Sequence, residues 1–221
     1  MTKPAAFVFD AYGTLFDVHS AAQRHAADIG DNWGRLSDVW RTKQLEYTWV
    51  LAAAGQHDTF WAITERALDY AIAATDASVS KSLRSDLLSA YRTLQAYPEV
   101  ADVLAQLREG GARTLILSNG DVEMLAEAVS AAGLDGLLDG VLSVASVGVF
   151  KPDMSVYQSA CDATGLQASA ISFQSSNRWD IAGAHVFGFR TVWINRTGRP
   201  DEYPAQPPDA VLPDLHGLVD A

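Results

Sequence analysis

Asp10, the pair Ser118-Asn119, Lys151, and the group Ser175-Ser176-Asn177 with Asp180 each stand close behind a short apolar run of the chain. In an open parallel sheet, ligands bind beyond the carboxyl ends of the strands, so residues at such positions share one rim. A carboxylate, a lysine and several hydroxyl and amide groups gathered there make a chemically coherent site. Each member also has a plainer reading. Asp10 before Tyr12-Gly13 suits a turn, and Asp121 after Asn119-Gly120 suits the cap of the following helix. Lys151-Pro152 suits a solvated helix start, and Asp180 suits the dipole of a first helical turn. Singly, the structural reading is the better one; together, at successive strand ends, the residues favour a site.

The elements that must position them follow from the hydrophobic pattern. Apolar runs at residues 5–9, 113–117, 140–144, 170–173 and 190–194 fit fully buried strands of a parallel sheet. Helical patterns at residues 99–109, 122–132, 154–164 and 179–186 separate the later runs. Strands alternating with helices predict an α/β fold with a Rossmann-like parallel sheet. Residues 18–97 break this rhythm. They read as helix throughout, with interruptions near Gly30-Asp31, Gly55-Gln56 and residues 75–78, and Pro98 marks the return to the sheet. The expected organisation is a catalytic core of residues 1–17 and 98–221 around an inserted helical cap subdomain of residues 18–97. The tail, with Pro200, Pro204, Pro207, Pro208 and Pro213, reads as loop with a short last helix.

Composition narrows the function. The 221 residues carry 16 Lys and Arg against 27 Asp and Glu, a net charge of −11. Nucleic acid or an anionic membrane would need a basic surface, so neither is expected as a partner. Cys161 is the single cysteine, which excludes an intrachain disulfide and a zinc cluster built on thiolates. The five histidines show no His-x-x-x-His pair, and no Gly-x-Gly-x-x-Gly follows the first strand. Trp33, Trp40, Trp49 and Trp61 are spread through the helical segment, as packing residues would be. The apolar run after Met1-Thr2-Lys3 is short and stops at Asp10, unlike a secretory signal, and no apolar stretch is long enough to span a bilayer. A cytoplasmic protein is the expectation.

Four ordered motifs then point to a family. Residues 9–15, Phe-Asp-Ala-Tyr-Gly-Thr-Leu, resemble the first motif of the haloacid dehalogenase superfamily, whose Asp at a strand end is a nucleophile. Ser118-Asn119-Gly120 resembles the second motif and Lys151-Pro152 the third; residues 175–180, Ser-Ser-Asn-Arg-Trp-Asp, occupy the place of the acidic fourth. The resemblance covers essentially the whole chain, helical cap included. Two departures select a branch. Phosphatases of the superfamily usually carry a second Asp where this chain has Tyr12, to protonate a basic leaving group. They also bind Mg²⁺ through motif-four carboxylates, and here Asp180 is the only one in that motif. A halide leaves without a proton, so the sequence is most similar to the L-2-haloacid dehalogenases.

What this resemblance implies is specific. Asp10 would attack C2 of a short L-2-haloacid, invert that carbon and form an ester. Lys151 would keep Asp10 ionised, Thr14 would hold its side chain, and Asp180 would activate the water that hydrolyses the ester, with Ser175 and Asn177 beside it. Arg41 from the cap and Asn119 would receive the halide. Ser118 would grip the substrate carboxylate, and Tyr12, Leu45, Phe60 and Trp179 would wall the C2 substituent. No metal and no cofactor is expected, and the resemblance implies a homodimer. A Mg²⁺-dependent phosphatase of the same superfamily and a catalytically silent binding protein are the alternatives, with fluoroacetate as a substrate variant.

Overall fold

In the computed structural model, which describes residues 4–219, six parallel strands form one sheet in the order β3-β2-β1-β4-β5-β6. They are β1 Ala6–Phe9, β2 Arg113–Ser118, β3 Gly140–Ser143, β4 Ile171–Ser175, β5 Arg190–Ile194 and β6 Ala210–Leu212. The central strand β1 is Ala-Phe-Val-Phe and buried at every position, because neighbours on both edges and helices on the sheet leave no face for water. Val8 pairs with Leu115 on one side and Phe173 on the other. The α/β fold agrees with the expectation. β6 corrects it: the proline-rich tail contributes a sixth strand, while its short last helix is a 3₁₀ turn at His216–Leu218. Three residues bracketed by Pro208 and Pro213 and paired on one edge carry no periodic signal, which is why the strand is silent in the sequence.

The order in which strands are added to the sheet reverses between β1 and β4, so a crevice opens at their carboxyl ends. Six helices lie between β1 and β2, of which the first five are α1 Ser20–Arg24, α2 Ala26–Ile29, α3 Trp33–Ala53, α4 Phe60–Thr75 and α5 Lys81–Arg92. Gly30 and Gly55 adopt positive φ at the breaks. Thr59 caps α4 by accepting the Ala62 N–H, and Ser80 caps α5 by accepting that of Leu83. The two chain segments that join these helices to the sheet run side by side. Asp17 N–H donates to the Gln95 carbonyl at 2.8 Å, and Tyr97 N–H to that of Leu15 at 3.0 Å.

The remaining helices are α6 Val100–Glu109, α7 Val122–Ala131, α8 Met154–Thr164 and α9 Arg178–Phe187. The backbone of α9 comes close to α8 at Gly183, where an added Cβ would lie 2.6 Å from the Tyr157 hydroxyl and 2.8 Å from Pro152 Cβ. Gly183→Ala is therefore expected to lower stability by ~1–3 kcal/mol through overpacking. Gly34→Ala in α3, where the new methyl meets nothing within 4 Å, should raise it by ~0.5 kcal/mol. Urea unfolding of the two variants checks the contrast, and a Gly183→Ala protein as stable as the parent would contradict the packing.

Candidate active site

Asp10, one residue past β1, sits at the centre of a buried charge cluster. Asp10, Lys151 and Asp180 are 6%, 1% and 0% exposed. The Lys151 ammonium donates to Asp10 Oδ1 at 3.2 Å and to Asp180 Oδ2 at 2.9 Å, bridging the two carboxylates. The other oxygen of Asp10 is held differently. Its Oδ2 accepts from Asn177 Nδ2 at 2.8 Å, Thr14 Oγ1 at 3.1 Å and, at the limit of range, Ser175 Oγ at 3.5 Å. One carboxylate thus has one oxygen on a lysine and the other on three neutral donors.

These positions rest on tight local geometry. The loop after Asp10 folds back so that the Leu15 and Phe16 N–H groups donate to the Ala11 carbonyl, and Gly13 takes φ +92° to allow it. Ser176 Oγ donates to the Gly13 carbonyl and Ser176 N–H to Thr14 Oγ1, which joins the ends of β1 and β4. Arg196 adds a bond to the Thr14 carbonyl and pairs with Glu99 at 2.7 Å.

Burial and charge set the protonation states. Desolvation raises Asp180 above the ordinary carboxylate range; the Lys151 ammonium and the Tyr157 hydroxyl pull it back only in part. For Lys151, burial disfavours the charged form, but Asp10 and Asp180 together carry its pKa above the usual lysine value. The ammonium is therefore permanent at any working pH. Such a triad depends on all its members: removing one partner of a buried ion pair typically costs ~3–5 kcal/mol.

Arg41 reaches the cluster from α3. Its Nη2 donates to the Tyr12 carbonyl at 3.0 Å and to Asn177 Oδ1 at 3.4 Å. Asn119 is buried, and its Oδ1 accepts the Lys151 N–H at 3.0 Å, which turns its NH₂ group away from that bond. Ser118 Oγ accepts the Gly120 N–H at 3.1 Å. Tyr12 and Phe60 lie ring to ring at 5.5 Å, backed by Tyr91 and Trp40. The buried hydroxyl of Tyr12 and Nε1 of Trp179 have no hydrogen-bond partner among the described residues. Leu45 and Trp179 line a neighbouring cavity of about 430 Å³ that also includes Asn177 and Trp49. A second, smaller cavity on the other side of Asn177 is lined by Arg41, His19, Arg196 and Arg199.

The plainer readings are set aside at three positions. Lys151 is buried, not a solvated helix start, and α8 begins later with Asp153 as its cap. Asp180 lies in the first turn of α9 but spends its oxygens on Lys151 and Tyr157. Asp121 makes no cap bond to α7. One residue of the cluster went unread in the sequence: Tyr157, whose hydroxyl donates to Asp180 Oδ1 at 2.8 Å. It sits in the apolar stripe of α8 beside Val156, Ala160 and Cys161 and has no signal of its own there. Among the described residues no three His, Cys, Asp or Glu side chains converge on a point that could hold a metal, and no helix is long and apolar enough to cross a membrane.

A carboxylate at the end of the central strand, paired with a lysine from the loop before α8 and reached by Arg41 of α3, defines a class. The chain belongs to the haloacid dehalogenase-like hydrolases, whose family model matches residues 4–188. Within that family it falls in the L-2-haloacid dehalogenase branch. It is 46% identical over 202 residues to (S)-2-haloacid dehalogenase 4A of Burkholderia cepacia, covering 91% of this chain and 87% of that protein. It superposes with a TM-score of 0.96 on a crystal structure of a dehalogenase, at 44% identity, covering 99% of this chain and 96% of the other. The L-2-haloacid dehalogenase of Xanthobacter autotrophicus with chloropropionic acid covalently bound gives 0.89 at 34% identity, over 98% and 97% of the two chains.

Tyr157→Phe removes a hydrogen bond that favours ionised Asp180. The Asp180 carboxyl is expected to titrate at higher pH still in that variant, read by ¹³C NMR of labelled aspartate. An unchanged or lower value would mean that the Tyr157 hydroxyl does not act on this carboxylate.

Proposed function

We infer that this protein is a hydrolytic dehalogenase that converts short L-2-haloacids to D-2-hydroxyacids through an ester on Asp10, without a metal. The observation that carries the reading is the unequal hold on the two Asp10 oxygens. Oδ1, with Lys151 alone, is the attacking atom: it bonds to C2 as the carbon–halogen bond breaks, and the halide leaves with the electron pair. Oδ2 becomes the ester carbonyl oxygen and already lies among the Asn177, Thr14 and Ser175 donors. When water attacks Asp10 Cγ, negative charge develops on that same oxygen, where preformed donors act most strongly. Asp180, the carboxylate with the raised pKa, takes the proton of the water. Collapse expels the product with Oδ1 as its hydroxyl oxygen; Lys151, hydrogen-bonded to Oδ1 and to Asp180, gives Oδ1 its proton and recovers one from Asp180, and the water oxygen stays on Asp10.

Other groups fall into place around this sequence. Arg41 and the Asn119 amide receive the halide, Ser118 holds the substrate carboxylate, and the Tyr12–Phe60 pair bounds the C2 substituent on one side, with Leu45 and Trp179 in the adjoining cavity beyond it. The unpartnered hydroxyl of Tyr12 and N–H of Trp179 supply donors for an anionic ligand. Arg41 and Lys151 form a local positive pocket in a chain of net charge −11. Phosphate-ester chemistry fits less well. The Lys151 ammonium lies between the two carboxylates a divalent cation would need, and burial drives the Tyr12 phenol far above its ordinary pKa, so it cannot replace the missing acid. A silent binding protein would have no use for this set of converging donors. The same reading takes residues 18–97 as a cap over the core and the protein as a cytoplasmic homodimer that binds no nucleic acid; light scattering checks the dimer.

The decisive measurement is halide release from L- and D-2-chloropropionate in excess EDTA. Release from the L form alone, unaffected by the chelator, is expected; chelator-sensitive phosphatase activity with no halide released would overturn the reading. Asp10→Asn should lose essentially all turnover. A single turnover in ¹⁸O-water should label Asp10 and not the hydroxyacid, and label in the hydroxyacid would exclude the ester.

A further inference from the structure

Asp121 stands at the cap position of α7, yet its side chain does nothing for that helix. Its carboxylate reaches across to the helical segment instead: Oδ1 accepts the Phe60 N–H at 3.0 Å, and Oδ2 accepts the Trp61 N–H at 2.8 Å. These are the first two amides of α4, and both lack a partner within their own helix. Thr59 serves only the Ala62 N–H. The start of α4 is therefore capped by its own threonine and by an aspartate from the sheet layer. A carboxylate on two amides at the positive end of a sixteen-residue helix is a charge-assisted, two-point attachment.

Both ends of this attachment lead into the site. Asp121 comes two residues after Asn119, in a loop fixed on every side. Ser143 Oγ donates to the Gly120 carbonyl at 2.6 Å, Ser118 Oγ holds the Gly120 N–H, and Asn119 Oδ1 holds the Lys151 N–H. An added Cβ at Gly120 would lie 2.7 Å from the Tyr12 ring, so this loop is flush with the site's aromatic wall. At the other end, Phe60 is the first residue of α4, fully buried and facing Tyr12. A single carboxylate links the backbone that carries the Asn119 amide to the backbone that carries the Phe60 ring. Nearby, Arg92 of α5 also bridges the layers, through Glu127 of α7 at 3.1 Å and the Trp61 ring at 3.9 Å, but from the exposed surface, where ion pairs contribute little.

We propose that Asp121 is a positioning residue for halide displacement, holding Phe60 and Asn119 at the separation that aligns C2 and its halogen with Asp10. The proposal rests on the dehalogenase reading. The two chemical steps depend on different parts of the molecule. Displacement needs the substrate aligned between the core and α4, whereas ester hydrolysis proceeds at Asp10 Cγ among Thr14, Ser175, Asn177, Asp180 and Lys151, none of which Asp121 contacts. Loss of the attachment slows the first step and leaves the second.

Rapid-quench single turnovers with L-2-chloropropionate separate the two rates. For Asp121→Ala, ester formation should fall ~10–100-fold, the scale of a small misplacement, with KM raised and ester hydrolysis within about twofold of the parent. The isosteric Asp121→Asn keeps one acceptor and should lie between, and it carries the test should the alanine variant not fold. Arg92→Ala, which cuts the neighbouring surface bridge, should leave both rates alone. Three results would overturn the proposal: parental ester formation in both Asp121 variants, equal slowing of both steps, or a smaller burst amplitude with unchanged rates, which is the mark of a merely structural role. Failure of the parent protein to release halide at all would instead reject the dehalogenase reading itself.

Discussion

A protonated lysine without access to water is the constraint around which this protein is arranged. Lys151 is buried, and its charge is tolerable only because Asp10 and Asp180 stand within hydrogen-bond distance on either side. Two carboxylates so close would otherwise repel, and one would take up a proton. The ammonium offsets that repulsion by bonding to both, one the partner of carbon and the other of water. The ends of β1 and β4 and the loop before α8 have to meet at this cation, and the switch in strand order between β1 and β4 is what leaves space for them.

Around this fixed centre the polar groups divide by layer. The sheet ends supply everything that touches the two Asp10 oxygens, on short loops whose backbones are tied to one another through Thr14, Ser176 and Gly13. The helical segment supplies Arg41 and the aromatic wall, positioned by a buried network in which Tyr91 donates to Gln44, Gln44 to Thr64 and Trp40 to the Thr64 carbonyl. Rigid donors that need no reorganisation thus face the part of the reaction where charge appears on oxygen.

The strand ends are legible in the sequence because buried parallel strands read as continuous apolar runs, and the residues just behind them are the ones that converge. Legibility stops where the signal is not local. Tyr157 looks like any core aromatic in α8, and only the fold shows that its hydroxyl meets Asp180. Asp121 invites the reading of a cap for its own helix, since nothing nearby reveals that its partners are some sixty residues earlier. Leu45, Phe60 and Trp179 appear in the sequence as one apolar wall, but the structure sets Phe60 against Tyr12 and the other two in an adjoining cavity. β6 is too short and too close to prolines to register at all.

The placement of β1 bears on how the chain reaches this state. It precedes every helix and every other strand described, yet both of its strand partners lie more than one hundred residues further on. Between them stand helices whose main contacts, such as α3 against α4, are between sequence neighbours and form quickly. During synthesis, therefore, the helical segment can assemble while Phe7, Val8 and Phe9 still wait for a sheet. A wholly apolar strand, and the nucleophile at its end, thus wait for partners that come only after the helices.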